Sequence, residues 1–132
     1  MQPGFNLGGI VVTEDQKALV VAQGNTGKLW RFSLKSGKVK LVKTGSADLV
    51  NADGLVLQGN KLTVVRNFSK QIAKLKLSAD GRKAKLIRQF ASSPDRVLTT
   101  AKELRGEILY VDSKFDEQIA SGPYEVIADP TR

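Results

Sequence analysis

A repeat with a period of about 45 residues, the spacing from Gly9 to Gly54, constrains this chain more than any single residue does. Gly9-Ile10-Val11-Val12 aligns with Gly54-Leu55-Val56-Leu57, each a short apolar run opened by glycine. "ALVVAQGN" (Ala18 to Asn25) aligns with "KLTVVRNF" (Lys61 to Phe68), and "KLWRFSL" (Lys28 to Leu34) with "QIAKLKL" (Gln71 to Leu77). "KLV" at Lys40 to Val42 then matches "KLI" at Lys85 to Ile87, after the turns "LKSGK" and "SADGR" with their Gly and Asp-Gly hairpin signals. Four short strands in a unit of this length make the blade of a β-propeller.

The strands differ in pattern. Leu19 to Ala22 is apolar at every position, which predicts a strand covered on both faces by neighbouring blades. "KLWRFSL" alternates, which predicts a strand nearer the rim with one face in water. A third unit begins with "RVLTTAKEL" (Arg96 to Leu104) and "GEILYVDS" (Gly106 to Ser113), and "PYEVIAD" (Pro123 to Asp129) supplies its third strand without a fourth. No segment longer than a turn or two shows a helical period. The expected fold is therefore all-β and propeller-type, one domain over 1–132 with blades near 6–45, 51–91 and 95–130. Propellers have typically four to eight blades, so three do not close a ring. Half of a larger propeller, two copies forming a six-bladed ring, and an open stack all satisfy the pattern, and association of copies would cover exposed strand edges.

Composition narrows the chemistry. The 132 residues include no cysteine and no histidine, which removes disulfides, thiolate metal sites, cysteine nucleophiles, histidine bases and Ser-His-Asp triads. The N-terminal stretch "MQPGFNLGGIVVTEDQ" has neither the basic start and apolar run of a signal peptide nor the length of a membrane span, so the chain reads as soluble and its compartment stays open. Lys plus Arg number 21 against 13 Asp plus Glu, a net charge of +8 that favours anionic partners. Those cations alternate with apolar residues along strands and guard sheet edges, so nucleic acid is not the expected partner. A basic interaction scaffold for acidic partners remains one functional class.

The stretches "GGIVVTEDQKALVVAQGNTGKLWRFSLKSGKV" and "NADGLVLQGNKLTVVRNFSKQIAKLKLSADG" resemble successive blades of the senescence-marker-protein/gluconolactonase-like six-bladed propellers. The resemblance runs from about Phe5 to Asp129 and corresponds to the three C-terminal blades of such a protein. It implies a divalent cation at the channel mouth, Ca2+ or Mg2+, held by hard oxygen ligands. Asp53 in "ADGL" matches the family's Asp position, whereas Gly8 in "LGGI" stands where the family carries Asn. Asn51 and Asn6 are the further ligand candidates, and Asn67 and Asp112, each at the end of a second strand, are candidates to face the channel. Asn51 and Asp53 equally suit a turn that hydrogen-bonds its own backbone ahead of Gly54. The functional expectation is a noncatalytic or ligand-binding segment completed by self-association, ahead of a divalent-cation-dependent hydrolase of lactones or esters. "GNTGKL" (Gly24 to Leu29) lacks the spacing and the following helix of a phosphate loop. Tyr110, Trp30 and Phe32 read as packing between blades, and no set of residues forms a catalytic group.

Overall fold

A computed structural model of the chain describes residues 6–119 and 121–132. Among them there is no helix, and eleven strands form three antiparallel sheets. The first sheet holds β1 (Leu7–Val12), β2 (Ala18–Gln23), β3 (Lys28–Ser33) and β4 (Val39–Leu41) in that order. The second holds β5 (Ala52–Gln58), β6 (Lys61–Arg66), β7 (Gln71–Leu77) and β8 (Ala84–Ala91). The third contains β9 (Leu98–Leu104), β10 (Glu107–Asp112) and β11 (Glu125–Ile127), the last falling inside the strand expected over Pro123 to Asp129.

The sheets stack as blades, with the innermost strands β1, β5 and β9 side by side. Val20, Ala22 and Leu29 of the first blade bury themselves against Leu55, Leu62, Val64 and Leu75 of the second. Val56, Val65 and Ile72 on the opposite face of the second blade pack against Leu98, Ala101 and Tyr110 of the third. Each large side chain so covered contributes about 1.5–3 kcal/mol. The glycines that open the repeat have a packing reason. A Cβ at Gly9 would lie 2.4 Å from the backbone nitrogen of Leu55, and one at Gly54 would lie 2.6 Å from Thr100 Cα. Each glycine thus lets the next blade's innermost strand approach backbone to backbone.

Two features recur blade by blade. The N–H of Gly24 donates to Asn6 C=O at 2.8 Å, that of Asn67 to Asn51 C=O at 3.0 Å, and that of Ser113 to Val97 C=O at 3.0 Å. The pairing also slips by a bulge in each innermost pair, across Gly8-Gly9 in β1, Asp53-Gly54 in β5 and Thr99 in β9. Together they equate Gly8, Asp53 and Thr99 as one position of the repeat.

The alternation of "KLWRFSL" follows the two faces of β3, the third of the four strands and so nearer the rim. Leu29 is buried against the second blade, while Trp30 and Phe32 lie on the opposite face of the sheet. That face is apolar as well. Ile10, Val21, Trp30 and Leu41 form one cross-strand row, and Val12, Leu19, Phe32 and Val39 a second. Their counterparts in the second blade, Leu55, Leu62, Val64 and Leu75, are buried against a preceding sheet. Here no described residue plays that part, and Ile10, Val12, Val39 and Leu41 stay about half exposed.

Candidate functional site

The bulge in β5 sets the site. A bulge re-aims the side chain it carries, and Asp53 sits within this one, half-buried and turned toward a cavity of about 190 Å3. Asn6, Gly8, Asn25, Asn51, Asn67 and the rings of Phe68 and Phe115 share the lining. The structure therefore brings Asp53, Asn51, Asn6 and Asn67 together at one mouth.

Their hydrogen bonds differ in kind. Asn67 Nδ2 donates to Asp53 Oδ2 at 3.0 Å, while Asn67 Oδ1 accepts from the Phe68 N–H at 2.6 Å. Both ends of that buried amide are engaged, so it orients the carboxylate and turns its own oxygen away. Asp53 Oδ1 faces Gly8, where an added Cβ would lie only 2.9 Å away. The missing side chain at Gly8 is what lets this oxygen lie against the β1 backbone. Burial raises the Asp53 carboxyl above its ordinary range, and the Asn67 bond offsets part of that rise. Asn51 takes the left-handed backbone conformation, φ 65°, as an Asn in a turn tolerates, and its Nδ2 donates to Ser69 Oγ at 2.9 Å. Its carbonyl meanwhile holds the Asn67 N–H, so Asn51 serves turn and mouth together.

Asp112 stands apart. It lines a different cavity with Asp95, Arg96 and Glu125, and its Oδ1 accepts the backbone N–H of Val97 and of Lys114, each at 3.2 Å. Its Oδ2 lies 3.8 Å from Arg96 Nε. These bonds tie the end of β10 to the loop before β9.

Residues outside the sequence-derived candidates also matter. Thr99 occupies the Asp53 position of the third blade but is buried and lies outside this lining, and a sequence reading misses the equivalence because Thr100 replaces the glycine that marks this point in the other two. Phe68 and Phe115 line the cavity, Phe115 arriving from the loop after β10 with no local signal. As for a cation, the described residues contain no group of three or more acidic, His or Cys side chains placed to hold a metal ion together. A Ca2+ or Mg2+ ion would have Asp53 Oδ1 as its one charged ligand here, with the amide oxygens of Asn51 and Asn6 and water for the rest, a donor set of suitable hardness.

No family model matches the sequence, and no curated protein matches it. Several chains among the solved structures are similar in fold, including the following two. The chain aligns with U3-55K at 16% identity and a TM-score of 0.59, covering 84% of this chain and 34% of that one. It aligns with the β-propeller domain of Cps50 (Swd1) from Myceliophteria thermophila at 14% identity and a TM-score of 0.53, covering 95% of this chain and 42% of that one. Both neighbours are β-propeller domains, and the chain spans less than half the length of either. The likeness establishes a partial β-propeller fold; it does not single out the gluconolactonase-like family.

Proposed function

We propose that this partial propeller is a noncatalytic ligand-binding segment, similar in role to a gluconolactonase-like mouth without its chemistry, and that it is completed by self-association. One observation carries the binding reading: a half-buried carboxylate with Oδ2 held by Asn67 and Oδ1 set against the bare backbone of Gly8, in an amide-lined cavity. A desolvated carboxylate of this kind is stabilised by a cationic group, either a Ca2+ or Mg2+ ion or the positive end of a small polar ligand. A bound ion would neutralise Asp53 and supply a Lewis-acidic centre at the mouth. Hydrolysis of a lactone or ester also needs a second group to move the proton, and Asp53 is the only ionisable side chain among the described lining residues. This favours binding over catalysis.

Self-association is supported by the uncovered face of the first blade, whose two apolar rows copy those buried in the second. In a six-bladed ring of two copies, the third blade of one would cover that face of the other. Calorimetric titration of Ca2+ and Mg2+ into wild type and Asp53→Asn tests the site: heat that saturates in wild type and is lost in the variant is expected, and equal heat in both would refute it. Light scattering after size exclusion tests the assembly, with a mass near twice 14.3 kDa expected and a monomer at all concentrations refuting it.

A further inference from the structure

At the outer edge of the junction between the second and third blades, two cations stand side by side with no carboxylate against either. Lys74 of β7 and Arg88 of β8 are cross-strand partners, so both side chains leave the same face of the sheet. They line a cavity of about 360 Å3 together with Phe90, Tyr110 and the segment 129–131. The ion pairs among the described residues involve neither cation. Like charges placed opposite one another on a sheet repel. The neighbouring pair Lys76 and Lys85 is also opposed, but both are exposed and water screens them.

Lys74 lacks that relief. It is half-buried, and its Nζ donates to Thr63 Oγ1 at 2.8 Å, a hydroxyl buried between the blades. Burial, and then the charge of Arg88, lower the Lys74 ammonium from its ordinary range. Arg88 lies over the Phe90 ring with its guanidinium carbon 5.1 Å from the centroid, a cation–π contact that holds it beside the cavity. The one acid lining the cavity is committed elsewhere. Asp129 Oδ1 accepts the N–H and hydroxyl of Thr131 at 3.0 and 2.6 Å, and its Oδ2 lies 3.3 Å from Arg132 Nε.

We propose that this groove binds an oxyanion, with the phosphate group of a small molecule as the best fit: the Lys74 ammonium supplies a point charge and the Arg88 guanidinium a planar fork. An anion seated between them removes the repulsion and replaces the water that Lys74 loses on burial. The site is independent of the Asp53 mouth, and neither depends on the other being correct.

Inorganic phosphate is the probe, titrated against the whole chain at ionic strength held constant with NaCl, with NMR observation of the Lys ζ and Arg ε groups. Saturable shifts at Lys74 and Arg88 are expected. Arg88→Gln, at an exposed position that leaves the blade junction intact, should weaken phosphate about tenfold. Lys74→Met should weaken it at least as much, and Lys85→Gln should change it less than twofold. If phosphate moves these signals no more than chloride does, or if Lys85→Gln weakens it as much as Arg88→Gln, the groove is only part of a diffuse positive surface and the proposal fails. Should Lys74→Met not fold, the comparison of Arg88→Gln with Lys85→Gln still decides.

Discussion

Replacing Gly54 by alanine tests whether the blades are joined backbone to backbone. The new Cβ would sit 2.6 Å from Thr100 Cα and 2.8 Å from the Thr99 carbonyl oxygen, where ordinary contact begins at 3.4 Å. No side-chain rotation relieves this, because both clashing partners are main chain. The strands β5 and β9 must part by roughly 0.8 Å, the shortfall from a 3.4 Å contact, and the apolar layer of Val56, Val65, Leu98 and Tyr110 loosens with them. Overpacking of this kind costs about 1–3 kcal/mol, and the loosened layer places the effect near the upper end, about 3 kcal/mol. Gly37→Ala is the control. Its φ of +67° strains any side chain, yet nothing lies within 4 Å of the new Cβ, so it should cost only about 1 kcal/mol. Urea unfolding of the two variants beside wild type gives both values. If Gly54→Ala proves no more destabilising than Gly37→Ala, the close approach of innermost strands is not what holds the blades together.

Three further outcomes are expected. The folded Asp53 carboxyl lies above the 3.8 of a free one, so its contribution to stability is fully present below that value and is lost as pH rises through the raised one; with a chelator present, Asp53→Asn should be more stable than wild type at neutral pH, and denaturation at several pH values will show whether this gap closes in acid. Arg66 is buried and donates to Val50 C=O at 2.9 Å, Gln71 Oε1 at 2.7 Å and Asp48 Oδ2 at 2.7 Å, so Arg66→Met should cost about 3 kcal/mol in urea unfolding by stranding those acceptors, whereas Asp48→Asn, at the exposed end, should cost under about 1 kcal/mol. Thr100 stands in the third blade where the first two carry Gly9 and Gly54, so in the proposed self-association Thr100→Gly should let copies meet as tightly as blades do and lower the dissociation constant; an unchanged constant in sedimentation would show that copies do not join through β9.

Much of the fold was legible because the repeat writes it twice in apolar runs and glycines, and Gly9 and Gly54, aligned on sequence alone, turn out to mark equivalent blade junctions. Asp53 was legible as an acid set just before such a glycine. Its orientation was not, since that depends on a bulge and on Asn67 donating from the neighbouring strand. The pairing of Lys74 with Arg88 also escapes counting along the chain. The register shifts between Lys74 and Leu75, leaving Ile87 as an extra residue on β8, and this slip alone puts the two cations opposite each other. Alternation along β3 separated its two faces, but which of them a neighbouring sheet covers depends on the blade that stands beside it.

The recurring bond from the end of each second strand to the residue ahead of each innermost strand joins main chain to main chain. Side chains at Gly8, Asp53 and Thr99 therefore take no part in fixing the register that presents them. The mouth behaves as a socket with interchangeable fittings, in which binding chemistry can be altered one blade at a time while the frame stays put. Position 53 offers the most freedom for such a change, since position 99 is buried and position 8 can be filled only if Asp53 moves aside.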